Sequence, residues 1–151
     1  MLIKPDAIQR GLAGEIITRL ERKGLKIVAM KMLHMDKALA QRHYAVHKGK
    51  VFFDGLVNFI TSSPIIAIVF QGENAVEIIR QMMGKTDPAK SKPGTIRGDF
   101  GIDIGYNLIH GSDSLENASK EISLFFSEEE IFDYDREIDK WIAKICPLGQ
   151  K

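Results

Sequence analysis

Ile65-Ile66-Ala67-Ile68-Val69-Phe70 is an unbroken apolar run rich in β-branched side chains, preceded by Ser62-Ser63-Pro64. A run of that length and composition reads as a strand buried on both faces. Before it, Phe52, Phe53, Leu56, Val57 and Ile60 fall at helical spacing, and Ser62-Ser63-Pro64 ends that stripe. After it, Asn74 with Glu77 three residues on has the form of a capping box. Val76, Ile79 and Met83 then continue an apolar face to Gly84.

Further towards the N-terminus, Asp36 is positioned to cap a helix with Leu39, His43 and Val46 on one face. Leu25 to Leu33, interrupted by Lys26 and Lys31, reads as a strand. Ile16, Ile17 and Leu20, followed by Gly24, describe an amphipathic helix with a glycine C-cap. Leu2-Ile3 ends a short strand closed by Lys4-Pro5-Asp6, because proline cannot donate to a ladder.

Towards the C-terminus the pattern stops between Lys85 and Tyr106, where four glycines and two prolines indicate a long ordered loop. Loops of that length usually carry function. Asn107 to Ile109 returns to strand. Asp113 with Glu116 caps a helix whose inner face is Leu115, Ala118, Ile122 and Phe125, and Ser127 with Glu130 repeats the cap for a short final helix. Residues 133–151 read as a surface tail pinned by Tyr134, Trp141 and Ile142. The whole order predicts an α+β fold: a split βαβ, ferredoxin-like α/β sandwich in which helices cover an antiparallel four-stranded sheet, as one domain over 1–151.

Hydrophobic residues make up 44% of the 151 and charged residues 27%, the balance of a globular domain. The net charge of +1 supplies no bulk field for nucleic acid or membrane, so anion binding must come from a local cluster. The single cysteine, Cys146, excludes an internal disulfide, and no stretch has the length of a membrane span. A cytoplasmic protein is expected. There is no Walker loop, no GxGxxG after a strand and no GxSxG, and His34, His43 and His47 form no metal set with carboxylates.

The chemistry concentrates in Asn107-Leu108-Ile109-His110-Gly111-Ser112-Asp113-Ser114. His110 stands at a strand end, beside the backbone N–H groups of a starting helix that can hold phosphate. Neutral imidazole is a nucleophile, so His110 is either a phosphate acceptor or a plain turn histidine. Lys4 is either a fixed cation facing the same site or a solvated strand-end lysine. Arg97, between Gly94 and Gly98, either grips phosphate oxygens or braces its loop through carbonyls. Arg80 lies off the apolar stripe. Glu121 either turns back to the second imidazole nitrogen or faces solvent. Phe52 and Leu56, one turn apart, form either a base platform or core.

Lys4-Pro5-Asp6, Gln9-Arg10-Gly11-Leu12, His43-Tyr44, Phe52-Phe53, Pro93 to Phe100 and Asn107 to Ser114 together resemble nucleoside diphosphate kinase, over Leu2 to about Trp141. The resemblance implies a ping-pong transfer of γ-phosphate between nucleoside tri- and diphosphates through a phosphohistidine. It assigns His110 as nucleophile through Nδ1, Glu121 as holder of the other nitrogen, and Ser112 as its support. Lys4 and Tyr44 would steady the transferring group, with Asn107 near the sugar 3′-hydroxyl. Arg80, Thr86 and Arg97 resemble the phosphate-binding set. Phe52 resembles the stacking ring, with Leu56 and Ile104 closing the slot. The resemblance further implies Mg²⁺ carried by the nucleotide phosphates with no direct protein ligand, and a homo-oligomer, hexamer or tetramer. No membrane or specific nucleic acid is expected as partner. Three features depart from the family pattern: only three residues precede Lys4, Tyr106 stands where many relatives have arginine, and Val51 where many have proline. Two rival readings are a nucleotide-binding regulatory module without turnover, which binds but does not exchange phosphate, and a scaffold assembled through sheet edges, in which Arg97→Ala alters assembly alone.

Overall fold

A computed structural model describes residues 1–143; the part of the expected tail that includes Cys146 and Pro147 lies outside the described residues. Four strands form one sheet: β1 (Leu2–Ile3), β2 (Lys26–Leu33), β3 (Ile65–Gln71) and β4 (Ile109–His110), in the order β2-β3-β1-β4 with every pair antiparallel. The apolar run from Ile65 becomes β3, an inner strand, as its composition requires. A bulge between Ile27 and Ala29 adjusts the β2 register against it.

Successive residues of a strand face opposite sides of a sheet, and this period of two divides the core. Leu2, Ala67 and Val69 face one layer, made by α3 (Lys37–His43), α4 (Phe53–Ile60) and α7 (Leu115–Phe125), whose Ala40, Val57, Ile60 and Phe125 are buried there. Ile3, Ile68 and Ile109 face the other layer. It contains α1 (Pro5–Gln9), α2 (Ala13–Arg22), α5 (Ala75–Met83) and α6 (Ile96–Phe100), which bury Ala7, Ile16, Leu20, Ile79, Met83 and Ile96. Each fully buried Ile or Leu contributes roughly 1.5–3 kcal/mol. A four-residue helix, α8 (Asp139–Ile142), closes the described chain.

Several expectations are corrected. Pro5 does more than end β1: it occupies the first turn of α1, where its missing N–H costs nothing. The segment from Lys85 to Tyr106 is not patternless. Asp87 accepts from the Ala89 N–H to start a 3-10 turn over Pro88–Lys90, and Thr95 accepts from the Gly98 N–H to start α6. Both pieces are too short to show a period. Arg19 then ties α6 to α2, pairing with Asp99 at 2.5 Å and lying over the Phe100 ring at 4.5 Å. Asn74 makes no side-chain cap; its φ of 52° places it in the left-handed region. Ser114, not Asp113, caps α7 by accepting from the Asn117 N–H. Leu115, Val46 and Trp141 are exposed rather than inward-facing. The region after residue 133 is fastened by Tyr134, as expected, which donates to the Ile27 carbonyl, and also by Arg136 on the Gly24 and Leu25 carbonyls.

β4 begins two residues later than expected because Leu108 has a φ of 72°, which no strand residue can adopt. Asp6 stabilises that conformation: its carboxylate accepts from the Leu108 N–H at 2.9 Å, and the Lys4 N–H donates to the Leu108 carbonyl at 2.8 Å. Thus the end of β1 and the start of α1 hold the backbone next to His110.

Candidate active site

His110 pairs with Leu2 across β4 and β1, and Leu2 pairs with Ala67. Directly opposed residues share a face, so the His110 imidazole stands on the α3–α4–α7 side. Gly111 follows and turns the chain towards α7. A Cβ there would lie 2.6 Å from Met83 Sδ and 3.3 Å from Ile79 Cγ2, so glycine lets the turn sit on α5 without displacing the Met83 side chain.

The first turns of α7 bring Glu121 back to the imidazole. His110 Nε2 lies 2.9 Å from Glu121 Oε2, and Ser112 Oγ donates to the same oxygen at 2.8 Å. Burial works against the Glu121 charge, but the hydrogen bonds from His110 and Ser112 and the adjacent imidazoles outweigh it, holding the carboxyl below its usual range. Facing a carboxylate, Nε2 is the protonated nitrogen. Nδ1 is left with its lone pair.

A second network begins at Lys4, only 5% exposed. Its Nζ donates to Asn107 Oδ1 at 2.6 Å, Asn107 Nδ2 donates to the Thr86 carbonyl at 2.8 Å, and the Asn107 carbonyl accepts from Arg97 Nε at 3.0 Å. Arg97, 7% exposed, also donates through Nη2 to the Ile109 carbonyl at 2.7 Å and through Nη1 to the Gly84 carbonyl at 3.4 Å. The loop-bracing reading of Arg97 therefore holds. Three of its five N–H donors face carbonyls, which leaves two for a ligand. Burial lowers the Lys4 ammonium to about 8, with Asp6 resisting and Arg97 assisting. Burial, then the charge of Arg80, lowers Arg97 to about 10. Arg97 thus bears on Lys4 and Arg80 on Arg97, a chain of like charges that a nearby anion would relieve.

Tyr44, at the end of α3, is buried, and burial followed by the Glu121 charge raises its hydroxyl to about 12. It reaches His110 through His43, whose ring lies 4.6 Å from both the Tyr44 and the His110 rings, edge-on to each. Burial and the neighbouring His110 push His43 down to about 3, so it stays neutral. His43, His110 and Glu121 bring three ligand-type atoms within 4.8 Å of one another. Both His43 nitrogens are enclosed without a partner, and Glu121 is already engaged twice. Tyr44 leads on to His47, whose ring centroid is 5.5 Å from that of Phe52. Phe52 is 52% exposed, the state of a stacking surface rather than of core.

The expected site residues divide accordingly. Lys4, Thr86, Arg97 and Asn107 form one bonded set, and His110, Ser112 and Glu121 form another one strand residue away. Tyr44 and Phe52 follow along the aromatic row. Arg80 is exposed on α5 and meets the set through its field on Arg97. Leu56 packs partly against the core, while Ile104 stands exposed in the loop before β4. A groove of about 1330 Å³ between α5 and α7 includes Arg80 but neither His110 nor Phe52. Reasoning from sequence missed His43 as a neighbour of the nucleophile, since helix periodicity gives it only a core face. It also missed Asp6, which looks like a turn residue until Leu108 is seen.

The family model for nucleoside diphosphate kinase matches residues 1–131. A nucleoside diphosphate kinase from Dehalococcoides mccartyi is 60% identical over 136 residues, covering 90% of this chain and 96% of that protein. One from Roseiflexus sp. strain RS-1 is 56% identical over 142 residues, with 94% and 95% covered. Among solved structures, a halophilic nucleoside diphosphate kinase from Halobacterium salinarum in complex with CDP superposes with a TM-score of 0.92 at 52% identity, over 95% of each chain.

Proposed function

This chain belongs to the nucleoside diphosphate kinase family, and we propose that it carries the γ-phosphate of a nucleoside triphosphate to a nucleoside diphosphate on His110. The observation that carries this reading is the ionised Glu121 on Nε2, which leaves Nδ1 as the bare nitrogen, while Arg97 binds the carbonyl of the preceding residue, Ile109, and that of Asn107, whose side chain accepts from Lys4. In the first half-reaction the Nδ1 lone pair forms a bond to the γ-phosphorus, and the bond from that phosphorus to the β-bridging oxygen breaks. The departing oxygen leaves with the diphosphate. The Nε2 proton stays between His110 and Glu121, which stabilises the charge gained by the ring. The second half-reaction reverses these steps with a different diphosphate.

Phosphoryl transfer asks mostly for positioning and for charge aimed at the equatorial oxygens. Lys4, the free N–H groups of Arg97, and Arg80 supply that charge; Tyr44 supplies a hydroxyl kept protonated, and Thr86 and Asn107 supply further polar groups. Fixed donors of this kind are each worth about 2.7–4 kcal/mol. Phe52 offers a face on which any base stacks, with Leu56 and Ile104 bounding the slot, and Asn107 lies towards the sugar. Mg²⁺ fits as a passenger on the phosphates, since the carboxylate beside His110 is already engaged twice; it would screen the phosphate charge.

A homo-oligomer in the cytoplasm completes the proposal. The exposed Met30 and Met32 on β2, an outer strand of the sheet, support assembly, and no described helix is long and apolar enough to cross a membrane. Steady-state kinetics test the reaction scheme. Varying ATP at several fixed concentrations of a second diphosphate should give parallel double-reciprocal lines, with His110→Ala inactive. Converging lines would mean direct transfer between bound nucleotides and would refute the histidine route.

A further inference from the structure

Lys4 poses a physical problem that the proposed reaction does not solve. An ammonium stripped of most of its water needs compensation, yet among the described residues no carboxylate lies within ion-pair distance of it. Its one hydrogen bond goes to the amide oxygen of Asn107. The charged groups that bear on it are Asp6 from α1, which favours the charge, and Arg97 from α6, which opposes it. A direct carboxylate partner would hold the ammonium but would compete with any phosphate for it.

The structure contains a different compensation. Lys4 Nζ lies 5.1 Å from the centroid of the Phe59 ring, on α4, within the range where the negative ring face attracts a cation. Phe59 is in turn met by Tyr106, with ring centroids 5.1 Å apart and planes at 89°, the favoured edge-to-face arrangement. Tyr106 immediately precedes Asn107. One short segment before β4 therefore supplies both the oxygen that accepts from Lys4 and the ring that braces the ring beneath it.

We propose that Phe59, held by Tyr106, is a positioning residue for Lys4: its ring face keeps the ammonium in place and charged while offering no acceptor that competes with phosphate. The inference rests on the reading of Lys4 as a phosphate contact. A π-face attracts the charge without using its N–H donors, so two of the three ammonium protons remain for the ligand. It also accounts for the two aromatic residues at 59 and 106, which the transfer reaction itself does not use.

The test separates this contact from the reaction. The carbon resonance next to the Lys4 amine, observed by isotope labelling in the protein without nucleotide, reports its titration directly. Phe59→Leu keeps apolar volume and removes the ring face; Tyr106→Ala, on an exposed position, loosens the brace without touching the core; Tyr106→Phe keeps the brace. Phe59→Leu should move the Lys4 midpoint down by roughly half to one pH unit. Tyr106→Ala should move it by less in the same direction, and Tyr106→Phe should leave it in place. The basic limb of kcat should follow these shifts, while KM for nucleotide changes little at pH 7. A midpoint unmoved in Tyr106→Ala, or in a folded Phe59→Leu, overturns the proposal. Failure of the transfer reading has a different signature: His110 takes no phosphate, whatever Lys4 does in the resonance experiment.

Discussion

Lys4 and Glu121 show how the same burial acts on opposite charges. Glu121 keeps its charge because it collects donors from His110 and Ser112, whereas Lys4 has one neutral acceptor and a ring, and its ammonium falls from 10.5 to about 8. Below about pH 8 the group is charged both folded and unfolded, and the fold bears the full cost of burying it. Between about 8 and 10.5 the unfolded chain holds more protons than the native one, so this group's contribution to stability rises with pH. On the proposed role of Lys4 activity runs the other way, because an ammonium screening the phosphoryl oxygens would be lost through the same range. We therefore expect kcat to fall as pH rises through about 8. Over the same interval urea melts should show the stability advantage of Lys4→Met over the native protein shrinking. A kcat that is flat to pH 10, or an advantage that grows, would contradict this account of Lys4. His43 gives the complementary case, an enclosed imidazole that stays neutral beside the nucleophile.

At the scale of elements, α7 carries Glu121, so whatever fixes its first turn fixes the partner of the nucleophile. The cap is Ser114, which accepts from the Asn117 N–H at 3.1 Å, while Asp113 reaches only the Asn117 side chain at 2.7 Å. Replacing Ser114 by Ala should cost about 1 kcal/mol. Asp113→Ala should stay within about 0.5 kcal/mol of the native protein, as exposed substitutions do. Chemical denaturation of the two variants checks the assignment, and the reverse ranking would return the cap to Asp113. The same element shows what a sequence reveals and what it conceals. The period of the α7 stripe was visible, as were the long buried strand from Ile65 and the glycine ending α2, because each repeats or spans many residues. The spacing to Glu116 points to Asp113 as the cap, one residue short of Ser114, because both side chains can accept from a helix N-terminus. α6 was hidden because five residues cannot display a period. The start of β4 was misplaced because nothing in Asn107-Leu108-Ile109 announces a left-handed leucine held by a carboxylate 102 positions earlier.

Across the whole molecule the two-layer arrangement explains why the chemistry gathers where it does. β1 is only two residues long yet pairs with both β3 and β4, so Lys4 leaves the sheet opposite Leu108, two residues before His110, and Arg97 binds the carbonyls of Asn107 and Ile109 on either side of it. His110 and its partners were readable as residues in order along the chain; the joining of Lys4, Thr86 and Arg97 into one set was not, because it depends on Asn107 accepting from Lys4 while bonding Thr86 and Arg97. The central claim is that one ring nitrogen is loaded and unloaded in each cycle. It is tested most directly by mixing the protein with γ-labelled ATP, isolating it, and locating the label. The account predicts one alkali-stable, acid-labile phosphate per chain on Nδ1 of His110, absent in His110→Ala and discharged on adding a diphosphate. A label that persists in His110→Ala, or an isolated protein that carries none while still exchanging phosphate, would contradict it.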